Sequence, residues 1–293
     1  MAKKFLTVQS ITKSTYQGEV YNLHVEGNHN YFAEGITVSN CHLFKAKSLS
    51  QILSNLTNAD VRIGTTGTLD GTHTHRLVLE GHFGPVFAPV TTKQLMDSGK
   101  LATLKIKCLV LKYPERLCQL LRKSDYREEY EAVVLHAPRS KFIRNLALSL
   151  EGNTLVLFQL VKKHGTPMFA DIRDHAKNGR PVFFIHGDTE TLEREEIRKV
   201  METHTNAIIV ASYGTFSTGI NIKNLHNVIF AAPSKSRIRN LQAIGRGLRN
   251  ADGKTHATLF DIVDDLRIGK HENFLLKHFV ERAWIYNSEM FAF

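Results

Sequence analysis

Two patterns of apolar and polar positions divide the chain near residue 41. Residues 16–40 place apolar side chains in short alternating runs that Gly and Asn interrupt, which is typical of short β-strands joined by turns. From residue 41 onward, near-continuous runs of Val, Ile, Leu and Phe alternate with amphipathic stretches. Such runs indicate strands buried on both faces of a parallel sheet that helices cover. The pattern therefore predicts a small all-β segment followed by an α/β fold.

The second pattern also assigns individual elements. The predicted strands are residues 61–65, 106–111, 154–158, 182–185, 207–211, 227–231 and 258–263. The predicted helices are residues 163–178, 189–203, 236–249 and 271–286. Residues 113–150 are predicted to be a mostly helical connector rich in Arg, Lys and Glu.

Composition narrows the class of protein. The chain has 293 residues, of which 42% are hydrophobic and 23% charged, and this is enough for two ordinary domains with their own cores. No apolar run approaches the roughly 20 residues that span a bilayer, and the N-terminus lacks the apolar stretch of a signal peptide. Cys41, Cys108 and Cys118 form neither a disulfide framework nor a paired metal motif. We therefore expect a cytoplasmic protein with no membrane partner.

The net charge of +10 is located in one part of the chain. Residues 1–40 contain three Lys and three Glu and are neutral, so the whole excess lies in residues 41–293. A nucleic acid is the partner that this charge favours, because Lys and Arg gain most of their non-specific affinity by neutralising phosphates. The alternative on charge alone is a basic soluble protein without a polyanion partner.

The step from Asn40 to Cys41 joins two side chains that can break and remake a peptide bond. A cysteine thiolate is a strong nucleophile near neutral pH. The Asn40 side-chain amide can attack its own backbone carbonyl and form a succinimide, which releases the chain that follows. The pair alone is a weak signal, and the residues around it decide its interpretation.

Residues 18–41 resemble the last two sequence blocks of inteins nearly end to end. The resemblance implies that residues 1–40 are the C-terminal half of a split intein and that His29 transfers a proton during cyclisation. Asn28 stands where many relatives have Asp, and Ser39 stands where most have His, although Ser also occurs there among split inteins. The alternative is a β-hairpin native to the following domain, with His29 in a surface turn.

Residues 242–249 read Q-x-x-G-R-x-x-R and match motif VI of superfamily 2 helicases. On a helix, Gln242, Arg246 and Arg249 share one face, because their spacing is i, i+4 and i+7. The resemblance implies that these residues act in ATP hydrolysis, that the two arginines bind ATP, and that a guanidinium placed there reaches the γ-phosphate as an arginine finger, which can contribute about 10³–10⁵ in rate. The alternative is that residues 242–249 form a basic helix face that contacts only solvent.

Residues 211–221 resemble motif V of the same helicases. By this resemblance Ser217 and Thr218 contact nucleic acid or couple it to the ATP site, and Gly219 and Asn221 bind the nucleotide. Asn221 occupies a position that is often Asp in relatives. Residues 154–159 resemble motif IV.

Two earlier segments resemble motifs of the first helicase domain. Cys41-His42 matches the last two residues of the DE-x-H box, in which Asp holds Mg²⁺, Glu positions water and His couples nucleotide state to the second domain. The Asp and Glu are missing, so we expect the Mg²⁺ ligands on another polypeptide and no metal ligand in this sequence. About twenty residues later, Thr66 and Thr68 lie in a motif III-like turn that would link the ATP and DNA sites.

Residues 41–293 as a whole resemble the UvsW-like helicases of tailed phages, most closely at residues 43–53, 213–221 and 261–265. The resemblance implies ATP-driven remodelling of branched DNA and RNA–DNA hybrids in the host cytoplasm. It also implies RecA-like domains and divides the chain into the intein fragment (1–40), the end of RecA-like domain 1 (41–99) and RecA-like domain 2 (100–293).

The sequence contains no G-x-x-x-x-G-K-[ST] phosphate loop. We therefore expect that this chain alone does not hydrolyse ATP. The expected partner is a polypeptide that carries the phosphate loop, ends its helicase part in Asp-Glu and continues into an N-terminal intein half. Two alternatives remain open, namely an unspliced RecA-like module that binds nucleic acid without catalysis, and a decayed intein that no longer ligates.

Overall fold

The computed structural model describes residues 30–33, 36–40, 51, 54, 61–65, 73–87, 92–177, 179–219, 222, 224–233 and 256–293. The chain divides into two compact units, residues 1–88 and residues 89–293. Within the described residues, no helix is both long and apolar enough to span a bilayer.

In the described part of the first unit, three strands form a sheet and a helix follows them. Its elements are β1 (Asn30–Ala33), β2 (Ile36–Asn40), β3 (Val61–Thr65) and helix α1 (His73–Phe83). β1 and β2 pair antiparallel, and β2 also pairs in parallel with β3, so that Asn40 lies opposite Thr65. Among the described residues, the strand that ends at Asn40 is therefore the middle strand of the sheet.

The second unit contains a six-stranded sheet. Its strands are β4 (Thr103–Lys112), β5 (Thr154–Phe158), β6 (Val182–Ile185), β7 (Ile208–Ser212), β8 (Asn227–Phe230) and β9 (His256–Asp265). Their order across the sheet is β4-β9-β8-β5-β7-β6, and every neighbouring pair is parallel. The parallel sheet predicted from sequence is confirmed.

In the part of the chain that the structure describes, helices precede, connect and follow these strands. They are α2 (Thr92–Asp97), α3 (Glu115–Leu121), α4 (Tyr126–Val134), α5 (Ala137–Ser149), α6 (Thr166–His175), α7 (Thr191–Thr203), α8 (Tyr213–Gly219) and α9 (Phe274–Ser288). A π-helical turn, Val161–Gly165, precedes α6. The predicted connector is thus α3, α4 and α5, and the predicted helix at 236–249 lies outside the described residues.

The sheet is buried on both faces because its strand residues alternate between two cores. In β5, Leu155 and Leu157 belong to one core, and Val156 and Phe158 belong to the other. The first core includes side chains of α4, α7, α8 and α9, and the second includes side chains of α5 and α6. Each side chain of β5 is buried, which is why the strand reads as a continuous apolar run.

The segment predicted as one helix at 163–178 is built from two parts. The π-helical turn ends at Gly165, where an added Cβ would lie 2.4 Å from the ring of Phe158. Pro167 then lies in the first turn of α6, where the missing N–H of proline costs no hydrogen bond. The helical backbone is continuous through Gly165 and Thr166, so the segment differs from the predicted single α-helix in its π-helical first turn.

Candidate functional site

The carboxyl ends of the central strands lie along one edge of the six-stranded sheet. Phe158 at the end of β5 lies opposite Ser212 at the end of β7, and Leu157 lies opposite Phe230 at the end of β8. In open parallel sheets, ligands bind beyond this edge. The motif IV sequence lies at the end of β5, the motif V sequence follows β7, and the segment after β8 leads to the motif VI sequence.

The start of the motif V segment is fixed by its own hydroxyl groups. Ser212 Oγ accepts a hydrogen bond from the backbone N–H of Thr215 (3.3 Å) and donates one to Thr215 Oγ1 (2.8 Å). This side chain thereby caps the first turn of α8, where the N–H groups have no helical partner. The backbone of Ser217, Thr218 and Gly219 continues this helix beyond the sheet edge.

The exit from β8 is anchored by two donors from different elements. The Tyr213 hydroxyl donates to the carbonyl of Ala232 (3.2 Å), and Arg139 Nη1 donates to the carbonyl of Ala231 (2.9 Å). Burial raises the pKa of Tyr213 well above its usual value, so the hydroxyl stays protonated and remains a donor. The chain therefore leaves β8 from a fixed point, about ten residues before the motif VI sequence begins at Gln242.

Arg139 owes its position to a buried ion pair with Asp264. Arg139 Nε and Nη2 donate to the two carboxylate oxygens at 2.8 and 3.0 Å, and the Tyr113 hydroxyl donates to Asp264 Oδ1 at 2.7 Å. Burial opposes the charge on Arg139, but the Asp264 carboxylate outweighs it and raises the pKa of the guanidinium. The planar guanidinium of Arg139 makes two hydrogen bonds to the Asp264 carboxylate, which fixes its orientation. Arg139 can therefore hold the Ala231 carbonyl in a defined position.

A second buried ion pair joins β9 to α9. Arg282 Nε donates to both oxygens of Asp261 (3.1 and 2.8 Å), and the Tyr286 hydroxyl donates to Asp261 Oδ2 (2.8 Å). Burial opposes the charge on Arg282, but Asp261 more than compensates and raises its pKa. Asp261 and Asp264 of β9 are thus each paired with an arginine from a helix on a different face of the sheet, and the buried Asp265 at the end of the strand pairs with Arg267.

The sequence did not single out these anchoring residues for a site. Asp261 and Asp264 lie in residues 261–265, which resemble UvsW-like helicases, whereas none of the sequence motifs above includes Arg139 or Arg282. A usable signal was the presence of carboxylates inside an apolar strand, since a buried charge requires a partner.

The described residues include part of the set predicted from sequence. Asn40 ends β2, and Ser217, Thr218 and Gly219 lie in α8, where the structure describes their backbone. The remaining predicted site residues lie outside the described residues: His29, Cys41, His42, Thr66, Thr68, Asn221, Gln242, Arg246 and Arg249. The fit of ATP and Mg²⁺ to them stays a prediction, and so do the splicing roles.

Comparison with known proteins agrees with this geometry. Residues 138–251, which include the motif IV, V and VI sequences, match the family described as Helicase conserved C-terminal domain. The chain is 36% identical over 266 residues to the ATP-dependent DNA helicase uvsW of Enterobacteria phage T4, covering 86% of this chain and 52% of that protein. The chain is homologous to UvsW-like helicases through their C-terminal domain.

Solved structures support the same UvsW-like fold. The crystal structure of T4 UvsW aligns with a TM-score of 0.57 and 34% identity over 87% of this chain and 52% of that one. The ATP-dependent type ISP restriction-modification enzyme LlaBIII, solved bound to DNA, aligns with a TM-score of 0.55 over 86% of this chain and 20% of that one. At 17% identity, this second likeness supports the fold alone. The second unit has a RecA-like α/β parallel sheet, and the chain spans about half the length of phage T4 UvsW.

Proposed function

We propose that this chain supplies the second RecA-like domain of an ATP-dependent, UvsW-like DNA helicase that acts in recombination and repair on branched DNA and RNA–DNA hybrids. The observation that carries the proposal is the sheet edge at which Ser212, Tyr213 and Arg139 fix the start of motif V and the approach to motif VI. In this proposal Arg246 and Arg249 face the phosphates of ATP bound by the first domain, and Gly219 and Asn221 contact the same nucleotide.

We propose further that the helicase is assembled by protein trans-splicing between Asn40 and Cys41. The support is chemical and lies in the sequence, where an intein-like end directly precedes the final two residues of a DE-x-H box. Ligation to a partner that ends in Asp-Glu would create the sequence Asp-Glu-Cys-His and complete the sites for Mg²⁺ and for the attacking water. The N-terminal half would also bring the phosphate loop that this sequence lacks.

The test mixes the purified chain with a candidate N-terminal half and measures intact mass and peptide masses. Ligation predicts a peptide that joins Asp-Glu directly to Cys41 and a released fragment of residues 1–40. Asn40→Ala and Cys41→Ala should abolish the joined peptide, whereas Cys108→Ser, which alters a cysteine within β4, should not. Persistence of the full-length chain under all conditions would reject trans-splicing and favour an unspliced nucleic-acid-binding module or a decayed intein.

A continuous fusion tests the helicase activity independently of protein splicing. Joining the N-terminal half through Asp-Glu directly to Cys41 in one gene bypasses the intein, so DNA-stimulated ATP hydrolysis by this fusion tests the motor alone. Activity of the fusion without splicing of the separate chains would support the helicase and reject its assembly route. A folded fusion without ATP hydrolysis would reject the helicase.

A further inference from the structure

A cleft of about 480 Å³ opens where β5 ends, on the sheet edge described above. One wall is α4, which contributes Tyr126 and Tyr130, and the other is the chain that leaves β5 through the π-helical turn and contributes Gln159, Lys162 and Lys163. Its size falls within the range of ligand pockets, about 300–1,000 Å³. The motif assignments place Gln159 at the end of motif IV and leave the rest of this cleft without a role.

The cleft carries positive charge. Arg127, Lys162 and Lys163 line it together with a single carboxylate, Glu131. Lys163 hydrogen-bonds to Glu131 and thereby lowers the pKa of that carboxyl, so the pair stays ionised and neutral overall. Arg127 and Lys162 are exposed and remain to attract an anion, which points to a phosphate-bearing ligand.

The cleft also carries an aromatic surface held in place. Tyr126 is 38% exposed, and its ring centroid lies 5.0 Å from His278 and 6.3 Å from Phe274. Asp125 forms a capping box with Glu128, which fixes the first turn of α4 directly beside this tyrosine. A ring that neighbours hold in place while much of it remains accessible is a suitable platform for stacking an unpaired base.

Tyr130 supports Tyr126 from the same helix. Its ring centroid lies 5.9 Å from that of Tyr126, and its side chain lines the cleft but is only 5% exposed. Its hydroxyl is buried in the fold, and burial raises the pKa of Tyr130, so the hydroxyl keeps its proton. Tyr130 therefore helps to hold the ring of Tyr126 in place.

We propose that this cleft is a subsite for single-stranded DNA, in which an unpaired base stacks on Tyr126 while Arg127 and Lys162 contact the flanking phosphates. Duplex DNA fits less well, because its bases are already stacked and present no free face to the ring. The subsite would hold a strand at the end of β5, beside the motif V helix that follows β7. This inference rests on the proposed function, since it assigns part of the DNA path to α4.

The experiment measures binding of fluorescein-labelled oligo(dT) of 12 nucleotides to the full chain by anisotropy over a range of salt concentrations. Tyr126→Leu keeps apolar packing but removes the flat ring, and should weaken binding about 5- to 20-fold without changing the salt dependence. Lys162→Ala should reduce the slope of log K against log salt by about 0.7, the value for one phosphate contact on a single strand. Tyr126→Phe should bind like the unmodified chain.

Matched controls use an exposed aromatic and an exposed lysine elsewhere. Trp284→Leu removes a side chain that is 73% exposed on α9, and Lys199→Ala removes an exposed lysine on α7. Both should leave affinity and salt dependence unchanged. Replacing the bases of the oligonucleotide with abasic units should abolish the difference between Tyr126→Leu and the unmodified chain, because the backbone alone offers nothing to stack.

The outcomes separate this inference from the proposed function. Oligo(dT) binding that Tyr126→Leu weakens no more than Trp284→Leu does would overturn the stacking subsite and leave the helicase proposal standing. Absence of any DNA binding by the chain and by the continuous fusion would reject both. An equal loss with abasic and normal oligonucleotides would also overturn stacking, because it would make Tyr126 a structural residue of α4.

Discussion

At the scale of single residues, the sheet edge depends on charges that are fully removed from water. Arg139 and Asp264 are 2% and 1% exposed, and their bidentate contact also holds the backbone carbonyl that leads from β8. Removing one member of a buried pair leaves the other charge without compensation, which is worse than lacking the pair altogether. These residues therefore influence both the stability of the domain and the position of its functional segments.

Asp264→Ala should lower the free energy of unfolding by about 3–5 kcal/mol, because Arg139 would keep its charge in a dry environment. Urea denaturation monitored by circular dichroism measures this change. Asp174→Ala is the control, since Asp174 pairs with Arg173 at an exposed site and should cost less than about 1 kcal/mol. Equal effects of the two substitutions would contradict the importance given to burial.

His164 gives the stability of the fold a dependence on pH. Its side chain is 2% exposed, neither ring nitrogen has a hydrogen-bond partner among the described residues, and burial followed by the charge of Arg139 lowers its pKa from 6.5 to about 3. As pH falls below about 6.5, the unfolded chain binds a proton that the folded chain rejects, so the free energy of unfolding decreases with decreasing pH.

His164→Met should remove this dependence and retain a buried side chain of similar size. Between pH 7 and pH 5, the stability difference between the variant and the unmodified chain should shift by about 2 kcal/mol in favour of the variant. Urea midpoints at the two pH values test this, with His256→Met at an exposed position as the control. A pH-independent difference at residue 164 would show that the folded state accommodates the proton.

At the scale of elements, helix ends are held by distant side chains. The buried Glu129 carboxylate of α4 accepts hydrogen bonds from the backbone N–H groups of Phe274 and Leu275 (3.1 and 2.8 Å) and from Asn273 Nδ2 (2.9 Å). It thereby caps the N-terminus of α9, where a negative charge is favourable. One wall of the cleft, α4, and the C-terminal helix α9 are thus held together.

Gly165→Ala tests the packing between the π-helical turn and β5. The new methyl group would overlap the Phe158 ring at 2.4 Å, and overpacking of this kind should cost about 1–3 kcal/mol of unfolding free energy. Gly187→Ala is the matched control, because no atom lies within 4 Å of its added Cβ. Thermal denaturation of both variants compares them, and an unchanged midpoint for Gly165→Ala would mean that the turn relaxes freely.

The strands were predictable because burial on both faces leaves a direct trace in sequence, as the runs at 154–158 and 208–212 illustrate. The pairing of Arg139 with Asp264 was not, since the residues are 125 positions apart and their meeting depends on the tertiary fold. The π-helical turn at Val161–Gly165 was also missed, because helical periodicity carries no information about the ring of Phe158. Motif VI remains a prediction from sequence.

At the scale of the whole molecule, ATP hydrolysis is proposed to require two domains that face each other. Arg249→Ala in the continuous fusion should therefore lower kcat for ATP about 10³- to 10⁵-fold, because the γ-phosphate loses its arginine finger. A phosphate-release assay with saturating DNA measures this. Arg173→Ala, at an exposed position of α6, should retain activity, and a similar loss in both variants would contradict the motif VI assignment.

The pairing of β4 with β9 determines how long β4 lacks a partner strand during synthesis on the ribosome. β4 is the first strand of the second unit and lies at the sheet edge, and β9 pairs with all ten of its residues. β9 emerges about 150 residues later, which at about 5–20 residues per second takes about 8–30 s. During that interval the earlier strand offers unpaired backbone groups to neighbouring chains. A nascent chain that stalls before His256 is therefore prone to aggregation. Once β9 has been synthesised it can pair with β4, and β4 no longer needs protection by chaperones.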